Sequence, residues 1–276
     1  MDAKSFLEKS GIDPKPNLDQ HFMFDKVMIR KIAALAKLGK KDVVFEIGAG
    51  IGTLTRELAK KSKTVVAVEI DRKFEDAATR MTRGLKNIEF VWGDALKEIE
   101  RRNFDVLVSN TPYAICEALI HKLVHKKFRT AVLSVPKGFS EILLAEKGSK
   151  HYSKLSILSG AFFHVELKYA IPQDAFYPAP KTKSVVIKLT PLQDDDYKKS
   201  PAMYFARQIF LQKKKKLKNA LREAIISAAK IKGKTVTKRQ AKAIVKKLGQ
   251  IAEKEFQDLS LSEMQKIIDT VEKAVF

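Results

Sequence analysis

The chain has 276 residues, 45% hydrophobic and 31% charged, a balance that can build packed cores, is too apolar for intrinsic disorder and, at this length, allows about two domains. Its 53 lysines and arginines against 32 aspartates and glutamates leave a formal net charge of +21, which points to a nucleic acid or an anionic membrane surface unless it is only a lysine-rich solvated exterior. The lone Cys116 excludes a disulfide framework and a cysteine zinc site, no uncharged apolar run nears the ~20 residues of a spanning helix, and Met1-Asp2-Ala3-Lys4 opens no signal-peptide pattern, so a reducing, cytoplasmic setting is expected.

Residues 1–19, with Asp13-Pro14-Lys15-Pro16, read as a loosely organised lead-in. From Asp42 to Leu189, β-branched runs alternate with helical patterns: 43–47, 64–69, 88–92, 104–108 and 130–135. Strands separated by helices imply βαβ units and a parallel sheet covered on both faces. Two later runs, 162–171 and 184–189, have only a proline-rich loop between them, so they are expected as an antiparallel addition at the sheet edge. After Pro191 everything reads as helix: Phe210, Leu217, Leu221 and Ile225 recur at helical spacing, and Ser260 to Glu263 fits a capping box before Met264, Ile267, Ile268, Val271 and Val275. The expected division is residues 1–190, an α/β Rossmann-like domain, and 191–276, a small helical domain. The second holds 20 lysines and arginines against 10 acids, about twice the positive density of the first. Lys213 to Lys216, read as a helical turn, would wrap most of its circumference, so at least two of the four are expected to be solvated surface.

Glu46-Ile47-Gly48-Ala49-Gly50-Ile51-Gly52 follows an apolar strand and precedes a helical pattern, the context of a nucleotide-type loop in which glycines turn the backbone sharply against a ligand. Its G-x-G-x-G spacing is one residue short of the dinucleotide fingerprint, and it lacks the Lys-Ser/Thr of a phosphate loop. The next strand ends in Glu69, whose carboxylate can accept both hydroxyls of a ribose, with Ile70 beside it. The third is followed by Gly93-Asp94-Ala95, where the aspartate can accept a hydrogen bond from an adenine amine. Each feature alone would be an ordinary cap or turn. Together, at successive strand ends, they describe a site for S-adenosylmethionine.

After the fourth strand comes Ser109-Asn110-Thr111-Pro112-Tyr113. In isolation this is a turn that ends a strand. Behind such a glycine loop it offers a way to activate the exocyclic amine of adenine, whose lone pair is delocalised into the ring. The Asn110 side-chain oxygen and the Thr111 carbonyl would accept the two N–H groups and free the lone pair for in-line methyl transfer, a catalysis by positioning and electrostatics. Tyr113 supplies a ring for an unstacked base.

On these residues the chain resembles the KsgA-type rRNA adenine dimethyltransferases, from about Asp19 to the C-terminus. Gln20-His21-Phe22-Met23 is similar to the family's segment that closes over the methionine end of the cofactor, and Asp19 beside it looks like the archaeal spelling. Glu46 to Gly52, Glu69-Ile70-Asp71, Gly93-Asp94-Ala95-Leu96 and Asn110 to Ile115 match the family's motifs in order. Phe176-Tyr177-Pro178-Ala179-Pro180-Lys181 resembles its Phe-x-Pro-x-Pro-Lys loop, whose Phe stacks on the target adenine, and Arg207 to Leu221 resembles the opening of its RNA-contacting helical domain.

The resemblance implies a class I methyltransferase fold, S-adenosylmethionine as cofactor, and transfer of methyl groups to two adjacent adenines near the 3′ end of small-subunit rRNA during subunit biogenesis, by a monomer acting on the immature subunit. It implies catalytic positions Asn110, Thr111, Pro112, Tyr113 and Phe176. The implied cofactor positions are Gln20, His21, Met23, Glu46, Gly48, Gly50, Glu69, Ile70, Asp94, Ala95 and Asn110. Departures fall at Thr111, Ala114 and Pro136-Lys137-Gly138, the last on the stretch that forms the RNA-facing rim in family members. His121, His125, His151 and His164 show no metal spacing, and Cys116 has no base spelled nearby. The alternatives are an RNA-binding assembly factor that keeps the fold without catalysis, and a large-subunit rRNA methyltransferase.

Overall fold

The computed structural model describes residues 3–15 and 19–276. Where the sequence suggests a loose lead-in, it opens with a helix, α1 (Ala3–Lys9). Leu7 is 1% exposed and clusters with Ile12, Phe22, Ile51, Phe74 and Ala77. Seven residues are too few to hold a helix in water, so burial of Leu7 orders the segment, and nothing in the local pattern displays that force. Residues 16–18 of the lead-in, like residues 1 and 2, lie outside the described residues.

The described strands are β1 (Phe22–Met23), β2 (Val43–Ile47), β3 (Thr64–Glu69), β4 (Ile88–Trp92), β5 (Val106–Asn110), β6 (Thr130–Pro136), β7 (Phe163–Ile171), β8 (Phe176–Tyr177) and β9 (Ser184–Pro191). Seven of them form a sheet in the order β4-β3-β2-β5-β6-β9-β7. The first five are parallel, β9 runs antiparallel to β6, and β7 closes that edge. Between the parallel strands fall α3 (Thr53–Ala59), α4 (Glu75–Met81), α5 (Ala95–Arg101) and α6 (Cys116–Leu123), with α2 (Lys26–Leu35) ahead of β2. β2, β3 and β5 are buried almost throughout, as their unbroken apolar runs require.

β5 begins two residues later than the sequence pattern suggests. Phe104 stacks on Phe45 at 5.3 Å, and the Asp105 carboxylate accepts the Val43 amide at 2.8 Å, so both close off the lower end of the sheet. Asn110 therefore ends the strand, opposite Ser134 of β6, instead of opening a loop.

β1 and β8 pair as a separate antiparallel ribbon, with Phe22 opposite Tyr177 and Met23 opposite Phe176. No local periodicity marks two-residue strands. Their pairing joins the Gln20–Met23 segment to the Phe176–Lys181 loop across the whole α/β sequence.

The remaining helices are α7 (Lys137–Leu143), α8 (Lys154–Phe162), α9 (Asp194–Lys199), α10 (Pro201–Leu211), α11 (Leu217–Ile231), α12 (Lys238–Lys246) and α13 (Leu261–Val275). The chain divides into two compact units: one reaches to Glu141 and resumes at Val165–Thr190, the other comprises Ile142–His164 and Pro191–Phe276. Residues 142–164 thus group with the helical tail, although the sequence pattern places them in the first domain. The reason is α8, which buries Leu155, Ile157, Leu158, Ala161 and Phe162 and so must be covered on most of its circumference. Tyr197 donates to the Ala161 carbonyl at 2.9 Å, and the Phe162 ring meets Phe210 at 6.4 Å.

In this unit Phe210 lies on α10 while Leu217, Leu221 and Ile225 lie on α11. The lysine run 213–216 does not wrap a helical turn. It forms the connection between those helices, and Lys215 pairs with Glu223 at 2.6 Å. The Ser260–Glu263 capping box is formed at the start of α13, with amide-to-oxygen distances of 2.9 and 3.1 Å. Among the described residues no helix is long and apolar enough to cross a membrane.

Candidate active site

The glycine loop leaves β2 and returns as α3. Its Gly48 and Ala49 amides donate to the Val68 carbonyl at 2.9 and 3.1 Å, which anchors the loop over the end of β3. Gly50 has φ +52°, and a Cβ there would lie 3.0 Å from the Phe22 ring. Only glycine fits both the left-handed turn and the close approach of β1. The loop walls a cavity of about 630 Å3, within the range of roughly 300–1,000 Å3 typical of ligand sites.

That cavity collects most of the cofactor positions expected from the sequence. Gln20, His21 and Met23 line it, as do Gly48, Gly50, Glu69, Ile70, Asp94, Ala95 and Asn110. Pro112 is in its wall, whereas Thr111, Tyr113, Phe176 and Glu46 are not.

Glu69 projects from the end of β3 with its two oxygens held by backbone. Oε2 accepts from Gly50 N at 2.9 Å and Oε1 from Asp71 N at 3.0 Å. Burial raises its pKa, and the amide bonds pull back against that rise. Ile70, 75% exposed, is a large apolar side chain on the cavity wall that water alone does not reward. Asp94 caps α5 by accepting from Leu96 N at 2.9 Å through one oxygen.

Glu46 lies beneath the glycine loop and is 1% exposed. The Thr55 hydroxyl and amide are its polar neighbours, without a well-formed hydrogen bond to either oxygen. Burial pushes its pKa up to about 8, with the Thr55 side chain beside it lowering the value and Glu69 raising it. A buried carboxyl is costly to ionise, so burial favours its neutral form.

Asn110 ends β5 at the cavity wall. Its Nδ2 donates to the His21 carbonyl at 3.1 Å, so the backbone of the Gln20–Met23 segment selects the amide orientation and leaves Oδ1 as the acceptor. The ring Nδ1 of His21 in turn contacts the Pro178 carbonyl at 2.7 Å. Gln20 donates to Asp71 at 3.0 Å, and the Asp19 carboxylate accepts from the Ala114 amide at 3.0 Å. The segment before β1 is thereby fastened to the motifs after β3 and β5. Of these partners, Asp71 was readable as part of Glu69-Ile70-Asp71, whereas the Asp19 contact has no local signal.

Thr111 is buried, and its amide donates to the Ser134 carbonyl at 3.2 Å, which fixes the turn by its backbone. The Pro112 carbonyl accepts from Ile115 N at 3.1 Å and from the Cys116 thiol at 3.7 Å. Cys116 itself is pushed up to about pKa 12 by burial, which keeps it a thiol and not a nucleophile. Tyr113 is half-buried, with its hydroxyl hydrogen-bonded to Ser184 at the start of β9. Burial raises its pKa while the Ser184 bond lowers it. Sequence reasoning missed Ser184, which lies 71 residues away without any local pattern.

Phe176 differs most from its expected position. It is 4% exposed and belongs to the same apolar cluster as Met23 and Met28, so its ring is packed in the core instead of facing an open slot. The pleat of the β1–β8 ribbon, which sets Phe176 against Met23, turns it inward.

The chain is similar in sequence and fold to known proteins. The ribosomal RNA adenine dimethylase family matches residues 13–259. A probable ribosomal RNA small subunit methyltransferase A of Methanosarcina barkeri is 39% identical over 221 residues, covering 79% of this chain and 76% of that protein. One from Pyrococcus abyssi is 36% identical over 219 residues, 79% of each. A crystal structure of a dimethyladenosine transferase from Plasmodium falciparum is similar at TM-score 0.63 and 27% identity, over 93% of this chain and all of that one. The 23S rRNA methyltransferase ErmE shares the fold at TM-score 0.57 and 20% identity, over 91% of this chain and 99% of that one.

Proposed function

The chain belongs to the ribosomal RNA adenine dimethylase family, and from that premise we propose that it uses S-adenosylmethionine to methylate the N6 amines of two adjacent adenines near the 3′ end of small-subunit rRNA, as a cytoplasmic monomer acting on the immature subunit. The observation that carries this reading is Asn110, at the wall of the cavity and locked by the His21 carbonyl with its side-chain oxygen left to accept.

S-adenosylmethionine would fit the residues present. Glu69 at the end of β3 would receive the ribose hydroxyls, Asp94 the adenine amine, and the apolar face of Ile70 would cover the adenine ring. Gln20, His21 and Met23 would enclose the methionine end, over the Gly48–Gly50 turn. Bound there, the cofactor supplies an electrophilic methyl carried by a sulfonium.

The chain's own contribution is to prepare the nucleophile. Asn110 Oδ1 accepts one N6–H and the Thr111 carbonyl the other. The Pro112 carbonyl is already engaged with Ile115 and Cys116, so Thr111 is the second acceptor. With both hydrogens held, the nitrogen lone pair turns out of conjugation toward the methyl group. The extra proton leaves only after the new N–C bond has formed, so the site needs no strong base. Tyr113, its hydroxyl tethered to Ser184, presents one face to the extruded base. Phe176 reaches the opposite face only if its ring leaves the packing against β1, so it acts on binding of the substrate base and not in the resting chain.

The test is incorporation of labelled methyl into immature small subunits and, in parallel, into large subunits. Wild type is expected to label only the former, and Asn110→Ala to lose at least about a hundredfold in rate, the scale of one positioned transition-state acceptor. Full activity in Asn110→Ala, or labelling only of the large subunit, refutes the reading.

A further inference from the structure

A second hollow, of about 420 Å3, lies in the first unit between α2 and α3 and is closed by α1 and the end of α4. Five cations line it: Lys26 and Arg30 on α2, Arg56 on α3 and Lys60 at its C-terminal cap, and Arg80 on α4. On each of the first two helices the pair is spaced i,i+4, which puts both side chains on one face and sets like charges against each other. The single acid in the lining, Glu57, is paired with Lys60 at 2.5 Å. Lys26, Arg30 and Arg56 form no ion pair among the described residues. With Lys60 held by Glu57, Lys26, Arg30, Arg56 and Arg80 leave the hollow with a surplus of positive charge that an anion would offset.

The floor of the hollow is apolar. Phe6 and Phe24 meet edge to face with centroids 6.2 Å apart, and Ile29 and Met81 complete the surface. A free phosphate or a lipid headgroup would satisfy the cations and leave the rings unused. A nucleotide satisfies both, because guanidinium groups fork onto phosphate oxygens while a base lies against aromatic faces. None of the five cations lines the cofactor cavity.

We propose that this hollow is a binding site for a single-stranded RNA segment, with phosphates seated between α2 and α3 and a base against Phe6 and Phe24. The proposal rests on the rRNA reading above and adds a second anchoring point outside the methyl-transfer site. Anchoring there would hold one stretch of the RNA while a neighbouring stretch is unstacked in the active site.

The experiment compares wild type with the double variant Arg30→Glu/Arg56→Glu, both exposed positions, and with Phe6→Leu. A fluorescein-labelled oligouridine and phosphatidylserine vesicles are titrated against the full chain at several salt concentrations, with S-adenosylmethionine affinity as a control for the fold. The double variant should bind RNA about tenfold or more weakly and lower the slope of log affinity against log salt by about one or more, since each lost phosphate contact on a single strand is worth ~0.7. Phe6→Leu should weaken RNA binding with the salt slope unchanged. Wild-type RNA affinity and salt slope in the double variant would overturn the hollow alone. Vesicle binding abolished by the reversals while RNA binding persists would overturn it in favour of a membrane. Absence of RNA binding by the wild type would overturn both the hollow and the rRNA reading.

Discussion

Glu46 shows how a single buried residue near the end of β2 makes stability depend on pH. Its carboxyl titrates near 4.5 when exposed and near 8 in the folded chain, with burial as the main cause. Between those values the folded state keeps a proton that the unfolded state has lost, so this group makes stability fall as pH rises from about 4.5 to 8. Glu46→Gln has the same shape and cannot ionise. Without cofactor it should melt above wild type at pH 8 and above, by an amount on the order of a few kcal/mol, and the gap should shrink toward pH 5. Calorimetric melts across pH check this; an equal gap at both ends would mean that Glu46 is not held neutral by burial.

Among the elements, the cap of α13 was legible in the sequence, whereas the capping boxes of α8, α9 and α12 were not. Ser260 and Glu263 are three residues apart before an apolar periodic run, and they form the reciprocal bonds that spacing implies. Glu263 is held at about pKa 2 by Lys254 and then by the Ser260 amide, so its contribution is present above its unfolded value of 4.5 and is lost as pH falls toward 2. Ser260→Ala should cost about 1 kcal/mol of stability, read as a lower denaturation midpoint with unchanged slope. No loss would show that α13 is held by its buried face alone. Pro136 ends β6, and Gly138 lies in α7 with open space where a Cβ would be, so no close neighbour requires glycine there. The short elements behaved differently. α1, β1 and β8 have no pattern of their own, because each is formed by the partner it meets.

For the molecule as a whole, the charge of +21 divides into separate places. Part surrounds the hollow between α2 and α3, and part is concentrated in residues 191–276, where the 213–216 connection exposes its lysines. Within that connection Lys215 is committed to Glu223, which leaves Lys213, Lys214 and Lys216 for an anionic partner. Reversing these three to Glu should weaken rRNA binding and flatten its salt dependence by about two, at ~0.7–0.9 per phosphate contact. An unchanged slope in filter-binding titrations would mark the connection as a merely solvated face.

The sequence by itself determined what short-range pattern can encode. It specified the parallel strands as short runs of strand-forming residues, the helices between them, the glycine turn, and the acids Glu69 at a strand end and Asp94 just past one, because backbone geometry and burial periodicity are local properties. It also singled out Asn110 and its neighbours as a contiguous motif, but set them after the strand that Asn110 ends. Tertiary structure decided whatever depends on residues far apart in the chain. Pairing of β1 with β8 turned Phe176 into the core, and the His21 carbonyl chose the orientation of Asn110. Ser184 took the Tyr113 hydroxyl, and burial of α8 drew residues 142–164 into the helical unit. Arg30 and Arg56 are 26 residues apart and unremarked in the sequence; only the packing of α2 against α3 lines one hollow with both. Contacts of this kind are fixed by where surfaces close against each other, and no local period records that.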